Sequence, residues 1–350
     1  MDENSKELQM ETMSLSETDE LEFFKSVCDL IQQARRSVEK NINTTMTVTY
    51  YEIGRRIVEK EQQGEKRAQY GKRILQGLSD YLSDNLGKGF SAENLRLMRK
   101  FFLTYSSDEI SKSSIWKFNP HISWTHYIQL MRITNEDERQ FYELEIADNG
   151  WTTKEFQRQF DTSLYERLAL SRDKEKVREL SEKGQIIEMP QDLFKDPYVL
   201  EFTGLPEKSK YTETELEQKL IDHLQQFLLE LGKGFAYMGR QVRFTFEEES
   251  FYCDLVMYNR LLRCFVLIDL KIGRLKHDDI GQMQTYVNYY DRKVKLPDEN
   301  PTIGIVLCKD KKKALVEMML PEDNNQIFAG RYQTVLPSKE QLKKALEIVG

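Results

Sequence analysis

The sequence predicts an α+β chain of two domains, a helix-turn-helix-like α-helical N-terminal domain followed by an α/β domain with a mixed central sheet. Three observations predict it. Apolar residues of the first half recur at helical spacing, five stretches of the second half read as strands, and a charged segment with Pro190 and Pro197 divides them. The expected boundaries are an acidic, disordered tail over 1–20, a helical domain over 21–170, a linker over 171–195 and the α/β domain over 196–350.

From Glu20 onward, Leu21, Phe24, Val27, Cys28 and Ile31 keep the 3.6-residue period of an amphipathic helix. A second helix is expected from Met46 to about Glu61, and a third from Ala68 to Ser83, ending at Gly87 or Gly89. Ser91 then caps a fourth helix, with Phe90 placed to staple onto Leu95. That helix carries Arg96, Arg99 and Lys100 on one side after a glycine turn, which suits either phosphate contact or a solvated basic face. Residues 110–120 read as a loop. Helices follow at 136–147 and 152–160, the latter with Thr152 and Glu155 spaced as a capping box, and 164–169 closes the domain.

In the second half, Thr212 and Glu215 form another capping box, opening a long helix through Leu231. The repeated LGKGF at 86–90 and 231–235 follows a helix each time, so glycine C-caps explain it better than a phosphate loop. Phe235 to Phe246 alternates like a strand, on which Arg240, Gln241 and Arg243 either approach a phosphate backbone or flank the sheet. Phe251 to Tyr258 and Cys264 to Ile272 read as a β-hairpin turning at Asn259-Arg260. His277 to Tyr290 is a helix, 302–308 a buried strand, 311–319 a helix, 327–335 a strand and 339–349 a final helix.

The hairpin carries the chemistry. Cys264 to Ile272 (CFVLIDLKI) is an apolar, β-branched run of the kind a doubly covered strand shows, yet it contains Asp269 and Lys271. Residues two apart share a face, so these two project together while Leu270 faces the opposite layer. A buried carboxylate is costly unless it is paired or holds a metal. Antiparallel pairing lets Asp254 converge on Asp269, which offers hard oxygen ligands to a divalent cation, Mg²⁺ first and Mn²⁺ as its substitute. On the next helix Gln282 and Tyr286 are four apart and share a face. The bland alternative, a self-satisfying Asp269-Lys271 pair with Asp254 at a strand end, explains neither the second acid nor the glutamine-tyrosine helix.

The order Asp254, Asp269-x-Lys271, Gln282-x-x-x-Tyr286 resembles the PD-(D/E)XK nuclease superfamily, and the last element resembles its RecB-type branch. More closely, the blocks from YYEIGRRIVEKEQQGEKRAQYGKRILQGLSDYL to LYERLALS and from LEQKLIDHLQQFLLELGKGFAYMGRQVRF through the hairpin and helix resemble the YhcG-like nucleases. The resemblance covers most of residues 25–345. It implies a restriction-endonuclease-like α/β domain and a metal-dependent nuclease, of DNA above other substrates, working in recombination, repair or defence against mobile DNA. It implies that the Leu270 carbonyl and Glu217 complete the metal site, where the residues alone also allow Glu217 to be a surface acid. It favours nucleic-acid contact by Arg96, Arg99, Lys100, Arg240 and Arg243. Two positions depart from the superfamily pattern: Cys253 stands where proline is usual, and Asp269 where relatives often have glutamate.

Composition narrows the alternatives. No apolar run approaches the roughly 20 residues of a membrane span, and the polar, acidic N-terminus lacks a signal peptide's pattern, so a cytoplasmic protein is expected. Four cysteines without a C-x-x-C and four histidines without paired spacing argue against zinc. The net charge of −7 is unusual for a nucleic-acid binder, but it is segregated: residues 51–100 hold eleven Lys or Arg against seven acids, residues 1–20 one Lys against seven acids. The competing function classes are a binding or assembly protein on a nuclease fold without catalysis, and a helical half that serves protein interaction and homo-oligomerisation.

Overall fold

The computed structural model describes residues 3–62, 68–106, 118–171, 174–195, 197–207, 211–246, 248–311, 316, 318–321 and 323–342. The described chain forms two compact units, residues 1–132 and 133–350.

In the first unit, α1 (Glu3–Gln62) is one continuous helix. The expected acidic tail and the two expected helices are therefore a single element. No glycine or proline occurs before Gly54, so nothing in the chain breaks it. α2 (Ala68–Leu86) ends at Gly87, in the left-handed region at φ 85°, whose N–H donates to the Ser83 carbonyl. α3 (Ala92–Tyr105) is capped by Ser91, which accepts from the Asn94 N–H at 3.2 Å. Ile57, Leu75, Leu95 and Met98 form the core where these helices meet, with Phe90 packed against it. Gly54 lets α1 and α3 touch: a Cβ there would lie 2.1 Å from the Met98 carbonyl oxygen. α4 (Trp124–Leu130) completes the unit. Most of the expected 110–120 loop lies outside the described residues.

The second unit opens with α5 (Glu136–Asn149), α6 (Thr153–Asp161), α7 (Leu164–Leu170) and α8 (Lys174–Lys183). Thr152 and Glu155 make the expected capping box on α6. α8 falls within the expected linker, and Leu180 and Leu193 there are fully buried. Next come β1 (Tyr198–Val199), α9 (Glu213–Asp222) and α10 (Leu224–Leu231). The single long helix expected here is broken at His223, whose ψ of 38° leaves the helical region. α10 stops at Gly232, at φ 108°, as a glycine C-cap.

The sheet then assembles from β2 (Phe235–Phe246), β3 (Glu249–Asn259), β4 (Cys264–Arg274), β5 (Ile303–Asp310) and β6 (Ile327–Gln333), with α11 (His277–Lys293) between β4 and β5. Its order is β1-β6-β5-β4-β3-β2. β2, β3 and β4 pair antiparallel, whereas β4, β5, β6 and β1 pair parallel. The β3–β4 turn takes residues 260–263, and the Asn259 side chain accepts from the Leu261 and Leu262 N–H groups. One face, with Leu255, Ile268, Leu270 and Ile305, packs on α9 and α10. The other, with Val256, Leu267 and Val306, packs on Met283, Tyr286 and Val287 of α11. The expected 311–319 helix lies largely outside the described residues, and of the final helix only residues 339–342 are described.

A buried ion cluster ties α6 and α7 to this domain. Arg167 and Glu230, both 0% exposed, meet at 2.5 Å. Glu230 also accepts from the Val199 N–H at 2.9 Å, Lys195 donates to the Glu230 carbonyl, and Arg158 pairs with Glu201 at 3.0 Å. Removing one partner of such a pair strands the other charge without water. Glu230→Ala should therefore lower unfolding free energy by about 3–5 kcal/mol, read from urea denaturation; a loss below about 1 kcal/mol, as for exposed pairs, would contradict it.

Candidate active site

Strand register brings the acids together. The β3–β4 ladder runs to Leu255 paired with Ile268, and Asp254 and Asp269 follow just past its end, near enough that the Asp254 charge bears on Asp269. The Leu270 N–H donates to Asp254 Oδ2 at 2.7 Å, fixing one carboxylate against the neighbouring strand. Asp269 is 2% exposed, and its Oδ2 lies 2.7 Å from Lys271 Nζ. Leu270 points into the opposite core. Burial first, then the opposed Asp254, push the Asp269 carboxyl up to about 7, against the pull of the Lys271 ammonium. Burial works against the charge on Lys271, but Asp269 outweighs it and the ammonium is held above its usual value.

Glu217 enters from α9, itself buried. Its carboxylate and that of Asp254 share one donor: Gln241 Nε2 lies 2.6 Å from Glu217 Oε2 and 2.9 Å from Asp254 Oδ1. Burial raises the Glu217 carboxyl, with the Gln241 hydrogen bond opposing and Asp254 adding to the rise. Among the described residues no three His, Cys, Asp or Glu side chains close into a ready-made metal cage. The Gln241 amide stands between two of the carboxylates, and Lys271 engages the third. What is present is a set of hard oxygens, crowded and short of positive charge, and that set fits a divalent cation such as Mg²⁺ or Mn²⁺.

α11 supplies the third side. Gln282 Oε1 lies 3.5 Å from Lys271 Nζ, and Gln282 Nε2 donates to the Tyr286 hydroxyl. That hydroxyl in turn donates to the Tyr252 carbonyl at 2.8 Å, and the Tyr286 ring is fully buried. Burial pushes the Tyr286 phenol well above its usual range, so it stays protonated. Gln282 thus faces the lysine, while Tyr286 holds Gln282.

Residues 191–347 match the family profile described as the YhcG PDDEXK nuclease domain, and residues 26–167 the profile described as the DUF1016 N-terminal domain. Over 345 residues the chain is 38% identical to "Putative nuclease YhcG" of Escherichia coli (strain K12), spanning 91% of this chain and 92% of that protein. The chain belongs to the YhcG family of PDDEXK nucleases. Among solved structures, a repair endonuclease from Pyrococcus abyssi aligns over 38% of this chain and 50% of that one, at 13% identity and a TM-score of 0.25, a likeness too slight to bear on function.

The YhcG family profiles divide the chain between residues 167 and 191, whereas packing divides it after residue 132. The Arg167–Glu230 cluster explains the difference, since it fastens the last helices of one profile to the other. The basic residues expected to meet nucleic acid are spread over both units. Arg96 pairs with Glu93 at 2.8 Å and Arg99 with Glu61 at 2.6 Å, while Lys100 is exposed. Arg240 donates to Gln218 and Arg243 to Ser250, both arginines being exposed on β2. One site residue escaped the sequence reading, and another was read with a different role. Glu213, one helical turn before Glu217, accepts from the Ile272 N–H at 3.4 Å and adds negative charge near Asp269; its i,i+4 spacing to Glu217 was the available signal. Gln241, expected to approach a phosphate or flank the sheet, instead serves the acids: a bulge between Tyr237 and Gly239, and its own left-handed backbone at φ 47°, aim its amide at them. Among the described residues no helix is long and apolar enough to cross a membrane.

Proposed function

We propose that this protein is a metal-dependent phosphodiesterase acting on DNA, in recombination, repair or defence against mobile DNA. The observation that carries the reading is the convergence of Asp254 and Asp269 at the end of the β3–β4 ladder, with the Lys271 ammonium between Asp269 and Gln282. Asp254, Asp269, the Leu270 carbonyl and Glu217 would hold Mg²⁺ or Mn²⁺. When bound, such a cation supplies Lewis acidity, which polarises a phosphate and acidifies a water. Lys271, charged and fixed by Asp269, stabilises negative charge developing on the phosphate or orients the attacking water. Gln282 presents its amide to a phosphate oxygen, and Tyr286 keeps that amide aimed. Arg240 and Arg243 flank the site on exposed β2 and are suited to neighbouring phosphates, as Arg96, Arg99 and Lys100 are in the helical unit.

A panel of labelled duplex, single strand, four-way junction and RNA, incubated with Mg²⁺, Mn²⁺ or EDTA, tests this. Cutting is expected with metal only, reduced at least about 100-fold in Asp269→Ala and Lys271→Ala, a loss of the size one charge-stabilising group supplies. Equal cutting by the variants would refute the site. Tight binding with no cutting on any substrate would make the protein a binding module on a nuclease fold.

We also propose a homo-oligomer formed through α1. Val27, Leu30, Ile31, Val38 and Ile42 are 39–65% exposed, and Cys28, Ile31, Val38 and Ile42 keep the spacing of a two-helix seam. The same stripe on a second copy is self-complementary: from Cys28 to Ile42 it runs two heptads, with Arg35 at the intervening seam position. Wild type should sediment as a dimer and Ile31→Asp as a monomer; a monomeric wild type would rule this interface out.

A further inference from the structure

Beyond the acids, β2 and α11 enclose a cavity of about 210 Å³, smaller than the pockets that take drug-sized ligands. Its lining joins aromatic rings to cations: Phe244, Phe246 and Tyr289 with Asn288, Arg292 and Lys293. The rings are already ordered as a stack. Phe251 lies 5.6 Å from Phe244 at 18°, and Phe244 lies 4.4 Å from Tyr289 at 22°. Phe244 is buried within this stack, while Tyr289 at its end is half-buried and Phe246 is 53% exposed.

The charges there are available. Arg292 and Lys293 are exposed, and among the described residues no carboxylate forms an ion pair with either, in contrast to Arg96 and Arg99. The cavity also shares an element with the catalytic side. Gln282 and Tyr289 lie on one face of α11, seven residues or about 10 Å apart along the axis. A strand covers that distance in about three nucleotides at the duplex rise of about 3.4 Å, and in fewer when extended.

We infer that this cavity receives an unpaired nucleobase of the substrate strand, stacked against Tyr289 and Phe246, with Arg292 and Lys293 on the adjoining phosphates. Planar bases stack on aromatic side chains without regard to sequence, and cations beside the rings track the backbone. Inside an intact duplex both faces of a base are occupied by its neighbours, so the cavity selects single strands, frayed ends or junctions. The inference rests on the nuclease reading above and deepens it by naming a substrate class, nucleic acid with unpaired bases a few nucleotides from the scissile phosphate.

The test measures binding of the full-length chain in EDTA to a labelled oligothymidylate, a matched blunt duplex, and an all-abasic strand of equal length. Wild type is expected to bind the oligothymidylate tightest. Tyr289→Ala and Phe246→Ala should each weaken that binding about tenfold or more while leaving the abasic strand unchanged, and Tyr289→Trp should retain it. Phe246 is exposed enough that its variant should keep the fold. Unchanged oligothymidylate binding in both alanine variants, or an equal loss on the abasic strand, would overturn the inference. Cutting by wild type in Mg²⁺ or Mn²⁺ is scored separately: cutting without a base-dependent loss refutes the cavity alone, and a base-dependent loss without cutting refutes the nuclease reading alone.

Discussion

Two carboxylates facing each other across paired strands in an apolar layer form the constraint on which the rest of this domain depends. Like charges brought together on neighbouring strands are unfavourable at a surface and more so when buried. The chain offsets the cost with a small number of donors, each on a different element. Leu270 on β4 gives its N–H to Asp254, Lys271 gives its ammonium to Asp269, and Gln241 on β2 spreads one amide over Asp254 and Glu217. Even so, Asp269 is held up to about 7 by burial and by its neighbour. A site left so short of positive charge by its own protein is suited to an added cation.

Holding that opposition requires a sheet that cannot slide. A one-residue slip of β3 against β4 would turn Asp254 into the opposite core, so both faces of the sheet must be specified. They are: α9 and α10 cover one, α11 the other, with buried Leu, Ile and Val throughout. Arg167 and Glu230 then anchor α10 to the preceding helices by a pair whose single-partner removal strands a buried charge. The strain at Gln241 belongs to the same economy. A left-handed glutamine costs on the order of 1–3 kcal/mol, which the surrounding strands and the two carboxylates it serves must offset.

How much of this was legible in the sequence depended on the range of the physics. Asp269 and Lys271 share a face because strand parity is local, and Asp254 meets Asp269 because hairpin register follows from a short turn. Gln282 and Tyr286 share a face because the helix repeats. The caps at Ser91, Thr152 and Thr212 are equally local, and all form. That Gln241 turns to the carboxylates was not readable, since a bulge and an unusual φ are settled by what β2 packs against. Neither was the Arg167–Glu230 pair, whose members are 63 residues apart and look like ordinary surface charges. The break at His223 and the continuity of α1 show the reverse limit: apolar periodicity marks a helix but not where it bends or begins. The face shared by Gln282 and Tyr286 was readable, but not that Tyr286 is fully buried with its hydroxyl engaged by Gln282 and the Tyr252 carbonyl.

The most direct measurement of whether the opposed acids form a cation site is calorimetric titration of Mn²⁺ into the full-length chain without nucleic acid, beside Asp254→Asn. That variant removes one charge, while its amide oxygen still faces the Leu270 N–H. Saturable binding by the wild type, lost in the variant, is expected. Unsaturable heats in both, or the same binding curve in both, would contradict the view that Asp254 and Asp269 are opposed in order to hold a metal.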